Sequence, residues 1–278
     1  MTVSISAATV KAFRDRTGLP MMECKKALIE AEGDEEKAIE LLRKSGKKTM
    51  DARTDRETEA GRIAIFTDAS KNVSAMIELC CESAPVANTD EFVSLVGGLA
   101  RQLAEGPGAA DAAALYAQQA PGKSITLQEE QDDLVNKIRE VFKLSRMIRI
   151  EGTCGTYVHH NSGIGVLLEI EGTNTDLARD ICMHIASMKP KVLCKDDLDQ
   201  AALEKERSIV VEEVKQNNVG KPDNIIEKIV EGRMKTFVAE SCLLDQQFVK
   251  DSSKTVAQVA QDGGIKLKRM VHWVLGKS

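Results

Sequence analysis

Gly61-Arg62-Ile63-Ala64-Ile65-Phe66, a turn across Asp68 to Asn72, and Val73-Ser74-Ala75-Met76-Ile77-Glu78-Leu79 form the stretch from which the fold is read. The first segment alternates as a strand and the second returns as its partner. The chain then reaches Asn88-Thr89-Asp90, after which Phe92, Leu95, Val96, Leu99 and Leu103 recur at helical spacing. The same order comes again downstream. Gly155 to Val158 reads as a strand, His160 to Gly163 as a turn, and Ile164 to Ile170 as the return. There Asn174-Thr175-Asp176 precedes a helix bearing Leu177, Ile181, Ile185 and Met188, and Leu168-Glu169-Ile170 answers Ile77-Glu78-Leu79. Two copies make a duplication rather than a solenoid. The pattern predicts an α+β fold with two related α+β lobes, each an antiparallel sheet with helices on one face.

Outward from the duplication, Gly106-Pro107-Gly108 and Pro121-Gly122 punctuate an Ala-rich stretch between the lobes. A helix follows with Leu134, Val135, Ile138, Val141 and Phe142 on one face, and Met147 to Ile150 is expected to start the second lobe's first strand. After Pro190, Ala201 to Lys215 and Asn224 to Phe237 read as two charged helices joined by Asn217 to Pro222. Their narrow apolar stripes (Leu203, Val210, Val214; Ile226, Ile229, Val230) predict a helical hairpin projecting from the lobe. The chain closes with a short helix capped near Ser253, a Gly263-Gly264 turn, and a strand over Ile265 to Leu275.

Upstream, the first 46 residues read as three helices. The first covers Thr9 to Arg16 and ends in Thr17-Gly18-Leu19-Pro20. The second starts near Met21, with Met21, Cys24, Ala27, Leu28 and Ala31 on one face, and Gly33 ends it. Asp34 is the expected cap of the third. The adjacent Met21 and Met22 are core in one reading and a contact surface at a turn in the other. Lys44 to Ala60 is charged and nearly devoid of large apolar groups, so it reads as a linker or a solvated helix. The expected organisation is a module over 1–46, a linker over 47–60, a first lobe over 61–140, a second lobe over 141–200 and 238–278, and the hairpin over 201–237.

Composition narrows the function. The chain has 278 residues, 38 Lys+Arg against 43 Asp+Glu, net charge −5, with 42% hydrophobic, 29% charged and 3% aromatic residues. A net acidic chain short of stacking side chains argues against direct nucleic-acid binding. Nothing approaches the apolar run needed to span a bilayer. Met1 to Lys11 shows no charged-then-apolar order of a signal peptide. Seven cysteines, an odd number without a CxxC pair, argue against a disulfide framework or a zinc knuckle and for a reducing cytoplasm.

Chemistry is sparse. No phosphate-cradling GxxxxGK[ST] and no GxGxxG is present. His159 and His160, on a strand, would point to opposite sides and could not chelate one ion. Cys154 with these histidines is a weak candidate thiol nucleophile. His184 reads as a satisfied core histidine or an edge contact. Asp196-Asp197 and Glu212-Glu213 diverge on their helices and read as solvated charge. Ser83-Ala84-Pro85-Val86 joins the first lobe's strand to its helix as a small, stiff corner, and such connections often carry contacts.

Several motifs together resemble a known family. Arg14-x-x-Thr17-Gly18, Met21-Met22-Glu23-Cys24-Lys25-Lys26-Ala27-Leu28, Gly33-Asp34 and Arg43-Lys44-Ser45-Gly46 are similar to the N-terminal module of bacterial translation elongation factor Ts. Ile164-Gly165-Val166-Leu167, Met183-His184-Ile185-Ala186 with Lys189-Pro190, Gly220-Lys221-Pro222, Lys228 to Lys235 and Phe248-Val249-Lys250 agree as well. The resemblance implies a guanine nucleotide exchange factor for elongation factor Tu, in its GDP-bound and nucleotide-free forms, with no cofactor of its own. It implies a module like ubiquitin-associated domains, with Arg14, Met21, Met22 and Lys25 as contacts to Tu, and His184 as a further contact from the second lobe. The corner Ser83, Ala84, Pro85, Val86 would insert near the Mg²⁺ and phosphate site. The family's corner reads Thr-Asp-Phe-Val, so here the carboxylate and the aromatic are absent, and Pro85 with Val86 would form a smaller wedge. Pairing of two chains through the hairpin stays open. A ubiquitin-associated-type binding module without exchange activity, and a Cys154-dependent enzyme, are the alternatives.

Overall fold

The chain opens with three helices, α1 (Ala7–Thr17), α2 (Met21–Glu30) and α3 (Glu35–Asp51), in a computed structural model that describes residues 5–51, 56–218 and 221–277. Ser6 caps α1 by accepting from the Thr9 amide, and Gly18, at φ +70°, closes it with an amide bond to the Arg14 carbonyl. Asp34 caps α3 as expected, accepting from the amides of Glu36 and Lys37 at 3.0 and 3.1 Å. Val10, Phe13, Leu19, Cys24, Leu28 and Leu42 form the small core of this module. Helix α3 continues through 47–51, so the start of the expected linker is helical, the second of its two readings, while 52–55 lie outside the described residues.

The first sheet follows with β1 (Ala60–Asp68) and β2 (Val73–Cys81), then α4 (Ala84–Ala87), α5 (Asp90–Glu105), α6 (Ala112–Tyr116), α7 (Leu127–Ile138) and β3 (Lys143–Glu151). Its strand order is β1-β2-β3. The sequence reading placed Met147 to Ile150 in the second lobe, and the structure corrects this. Every residue of β2 is buried, so it is a central strand and requires a neighbour on each edge. Glu78 on β2 is buried, and Arg146 on β3 supplies the cation that would otherwise be missing from its surroundings. Helix α5 lays Phe92, Leu95, Val96, Leu99 and Leu103 on the sheet, and Phe142 meets Phe92 edge-on at 5.0 Å. Phe142 and Val141 are not helical, contrary to expectation. Helix α7 stops at Ile138 because Arg139 turns left-handed at φ +69°.

The second sheet is built from β4 (Cys154–Val158) and β5 (Ile164–Glu171), and the chain continues through α8 (Thr175–Met188), α9 (Gln200–Asn217), α10 (Asp223–Ser241), β6 (Gln247–Phe248), β7 (Asp251–Thr255), α11 (Val256–Asp262) and β8 (Lys266–Val274). Its order is β4-β5-β8, with β4 and β5 antiparallel from Cys154 opposite Glu169 to Val158 opposite Gly165. Gly155 lies directly under α8, where a Cβ would meet the Ala178 Cβ at 2.5 Å and its backbone carbon at 2.6 Å. Helices α9 and α10 pair along Val210, Val214 and Val230. The chain entering and leaving them zips together, with Val192 bridging to Cys242 and the Leu243 amide reaching the Val192 carbonyl at 3.0 Å. Helix α11 is capped by Thr255 in a capping box with Gln258, two residues after the expected Ser253.

The chain divides into two compact units, Met1–Lys71 with Ala75–Arg149 and Val274–Ser278, and Asn72–Ser74 with Ile150–Trp273. The first therefore joins the N-terminal module to the first lobe, and the second holds both the second lobe and the helix pair. Within the first unit the module is held to α7 by a fork. Arg43 Nε and Nη2 donate to the Asp133 carboxylate at 2.7 and 2.6 Å, and Glu23 pairs with Arg139. A double-mutant cycle on Arg43→Ala and Asp133→Ala, read by thermal unfolding, is expected to give a coupling of about 1 kcal/mol in low salt, shrinking toward zero near about 1 M salt. Zero coupling at low salt would mean that the fork does not form in solution. Among the described residues, no helix is long and apolar enough to cross a membrane.

Candidate functional site

The residues singled out from sequence fall in three places. Arg14 lies on the last turn of α1, and Met21 and Met22 lie on the first turn of α2, so the two helix ends that meet at the Thr17–Pro20 turn carry all three. Met21 and Met22 are 46% and 63% exposed, because the buried stripe of α2 begins only at Cys24. The core reading is therefore set aside for both methionines. Arg14 and Lys25 are also exposed. Ile29, 40% exposed, was not picked out from sequence, yet its spacing of seven from Met22 and four from Lys25 puts it on the same outer face. The surface is apolar with cationic edges.

The corner is the second place. Ser83 to Val86 is not a plain turn. Ala84–Ala87 forms one helical turn, α4, with Ser83 extended at its start and Pro85 in the first turn, where proline's missing amide costs nothing. Ala84 and Pro85 are exposed, whereas Val86 is half-buried. The Ser83 hydroxyl does not cap the turn. It donates to Glu140 Oε1 at 2.5 Å, and the Ser83 amide donates to Glu140 Oε2 at 3.0 Å. Arg62 donates to the Ala87 carbonyl and to Asn88 Oδ1 at 3.3 and 2.9 Å, fixing the far end. Below it, burial and then the Glu140 carboxylate push the Cys81 thiol up to about 11.

The third place is His184, on α8 in the second unit. Its ring is fully buried, so the reading as a satisfied core histidine holds, and the ring is not itself the surface contact that the resemblance implied. Nδ1 accepts from the Val249 amide at 3.2 Å, and Nε2 stands 2.8 Å from Gln246 Oε1. Gln246 Nε2 donates in turn to the Glu240 carbonyl at 2.5 Å, which assigns its Oε1 as the acceptor and His184 as the neutral Nε2–H form. His184 thus holds the 246–249 segment over α8, while Met188 and Val249 stand 50% and 52% exposed beside it. The helical stripe that contained Met188 gave no sign that its last member leaves the core.

Burial lowers the His184 pKa from 6.5, and the Gln246 bond only partly opposes this. Protonation would also place an N–H against the Val249 N–H. Between the unfolded value and the lower folded value the unfolded chain binds more protons, so stability falls as pH drops below 6.5. Urea unfolding of the full chain from pH 7 to pH 5.5, about the range where histidine titrates, is expected to show that loss, and His184→Gln to flatten it. Equal slopes in both proteins would remove His184 as the source.

The remaining candidates do not assemble a catalytic centre. Cys154 is buried, and desolvation pushes its thiol up to about 11, the reverse of an activated nucleophile. His159 and His160 do not lie across a strand as expected. β4 ends at Val158, and the two rings meet tilted at 54° with centroids 4.2 Å apart, His159 Nδ1 standing 2.8 Å from the Tyr157 hydroxyl. Among the described residues, no group of three His, Cys, Asp or Glu is placed to hold a metal ion.

A family model described as elongation factor TS matches residues 85–277. An elongation factor Ts of Alkalilimnicola ehrlichii is 38% identical over 99% of this chain and 93% of its own length. That of Thioalkalivibrio sulfidiphilus is 40% identical over the same shares of each chain, and that of an Azoarcus species is 41% identical over 98% of this chain and 91% of its own.

Proposed function

The chain belongs to the elongation factor Ts family, and from that membership we propose that it is a guanine nucleotide exchange factor for elongation factor Tu. The observation that carries this reading is the match to elongation factors Ts along nearly the whole chain. Tu binds GDP with Mg²⁺ in its nucleotide site. A protein that prefers the nucleotide-free conformation must weaken GDP binding by the factor by which GDP weakens its own. Such work needs surface and geometry in place of general acids, bases or a cofactor, which makes this an exchange factor acting by contact, in the cytoplasm where translation occurs.

In this reading Arg14, Met21, Met22 and Lys25 dock the module on the nucleotide domain of Tu, and Ile29 extends that face. The corner Ser83 to Val86 enters near the Mg²⁺ and phosphate site. Pro85, exposed on a hydrogen-bonded turn, serves as a rigid wedge without the carboxylate and the aromatic of the family's usual corner. His184 acts indirectly, by holding Met188 and Val249 in place as a second apolar contact.

The test is release of fluorescent GDP from a bacterial elongation factor Tu in excess Mg²⁺ and unlabelled GDP. Acceleration that saturates with concentration is the expected result. Complex formation without acceleration would favour a Tu-binding module that has lost exchange, and absence of both would overturn the proposal.

A further inference from the structure

The connection that carries the corner is tied twice to one distant dipeptide. Glu140 accepts from both the amide and the hydroxyl of Ser83, at 3.0 and 2.5 Å. Glu82, the neighbour of Ser83, accepts from the amide of Val141, the neighbour of Glu140, at 2.9 Å, and its other oxygen accepts from Arg56 at 2.8 Å. Glu82-Ser83 and Glu140-Val141 therefore exchange carboxylate-to-amide bonds in both directions across 57 to 59 residues of sequence. Such a reciprocal pair fixes translation and rotation of the corner together, which a single bond does not.

Two features set up this arrangement. The Ser83 hydroxyl is drawn away from the first turn of α4, where a serine in that position normally caps. In addition, the chain turns left-handed at Arg139, φ +69°, immediately before Glu140. It is a left-handed helix stop with arginine where glycine is usual, closed by the Arg139 amide on the Val135 carbonyl at 2.7 Å. The bend ends α7 and aims Glu140 back at the corner.

We propose that Glu140 is a positioning residue for nucleotide release: it holds Ser83 so that Pro85 presents at a fixed angle, and it touches neither nucleotide nor Tu. This rests on the exchange reading above. Removal of the carboxylate leaves the docking face of α1 and α2 unaltered and loosens only the wedge. The loss then belongs to the maximal rate and not to the concentration needed to reach it.

Glu140→Ala is expected to lower the maximal stimulated rate of GDP release about tenfold, with the half-saturating concentration changed by less than about twofold. Glu140→Gln is expected to recover most of the rate, because its amide can accept from the Ser83 amide and donate to the hydroxyl, preserving both bonds without charge. Ser83→Ala, which keeps the amide bond and is the milder change, should fall between them. Hydrogen exchange of the 83–88 amides, measured on the same proteins without Tu, should quicken in Glu140→Ala and not in Glu140→Gln. An Ala variant with the wild-type maximal rate, or a loss shared equally by Ala and Gln, overturns the proposal. If the wild-type chain itself fails to release GDP, the exchange reading falls, and unchanged exchange of the 83–88 amides would then overturn the clamp separately.

Discussion

Gly155→Val is expected to destabilise the second unit by about 3 kcal/mol or more, lowering its thermal midpoint by roughly 10 °C. The cause is distance. A Cβ at position 155 would stand 2.5 Å from the Ala178 Cβ, 2.6 Å from its carbonyl carbon and 2.7 Å from its oxygen. Two of those neighbours are backbone, so no rotamer change relieves the overlap, and α8 must lift from β4. Lifting would open the contacts of Ala178, Ile181, Cys182 and Ile185 with Val166 and Leu168. Gly155→Ala, with one carbon only, should cost about 1–3 kcal/mol and give the graded comparison. Circular dichroism melts of the full chain check both, and a midpoint unchanged in the Val variant would mean that α8 sits farther from β4 than described. The left-handed region plays no part here, since steric approach alone excludes the side chain.

The combined change Pro85→Gly and Val86→Ala is expected to reduce stimulated GDP release about thirtyfold at saturating protein, with complex formation by size exclusion retained. Proline fixes its own φ and so limits how far α4 can flex. Glycine in its place removes both the ring and the restraint, at a backbone entropy cost of about 1 kcal/mol. Loss of the two methyls of Val86 then undermines the half-buried side of the turn. The face on α1 and α2 proposed to dock on Tu lies elsewhere in the unit, so binding and release should separate. Release within about twofold of the wild-type rate would show that the wedge resides in other residues.

How much of this was legible in the sequence depended on how local each signal was. The alternation of Gly61 to Phe66 and of Ile164 to Ile170, with a capping tripeptide before each helix, named the duplicated units directly. Asp34 was readable as a cap because its partners are two and three residues away. The partner of β3 was not readable, since alternation over Met147 to Ile150 marks a strand but not its sheet. The deciding pair, Glu78 with Arg146, is separated by 68 residues. The end of α7 was missed because a left-handed stop usually announces itself with glycine, and here it is Arg139. The methionines were legible only as alternatives. His184 was legible only as a core or an edge histidine, because periodicity cannot tell a ring that reaches solvent from one covered by a segment some sixty residues later. The support of the corner by Glu140 left no sequence signal at all.

The two capping tripeptides hold one more consequence. In the first lobe Thr89 caps and the helix starts at Asp90, whereas in the second Asn174 caps and the helix starts at Thr175. The same three letters are used one residue out of step. A run with capping-competent side chains at successive positions lets the strand-to-helix connection gain or lose a residue without leaving a helix end bare. Ancestral copies of one unit could then diverge in length at this joint at little thermodynamic risk. The two joints differ in that way: the second spans only Gly172 to Asn174, while the first has room for an entire extra turn, Ala84–Ala87. Redundant punctuation makes that joint tolerant of a change in length, and in the first copy the added length is the turn that carries Pro85.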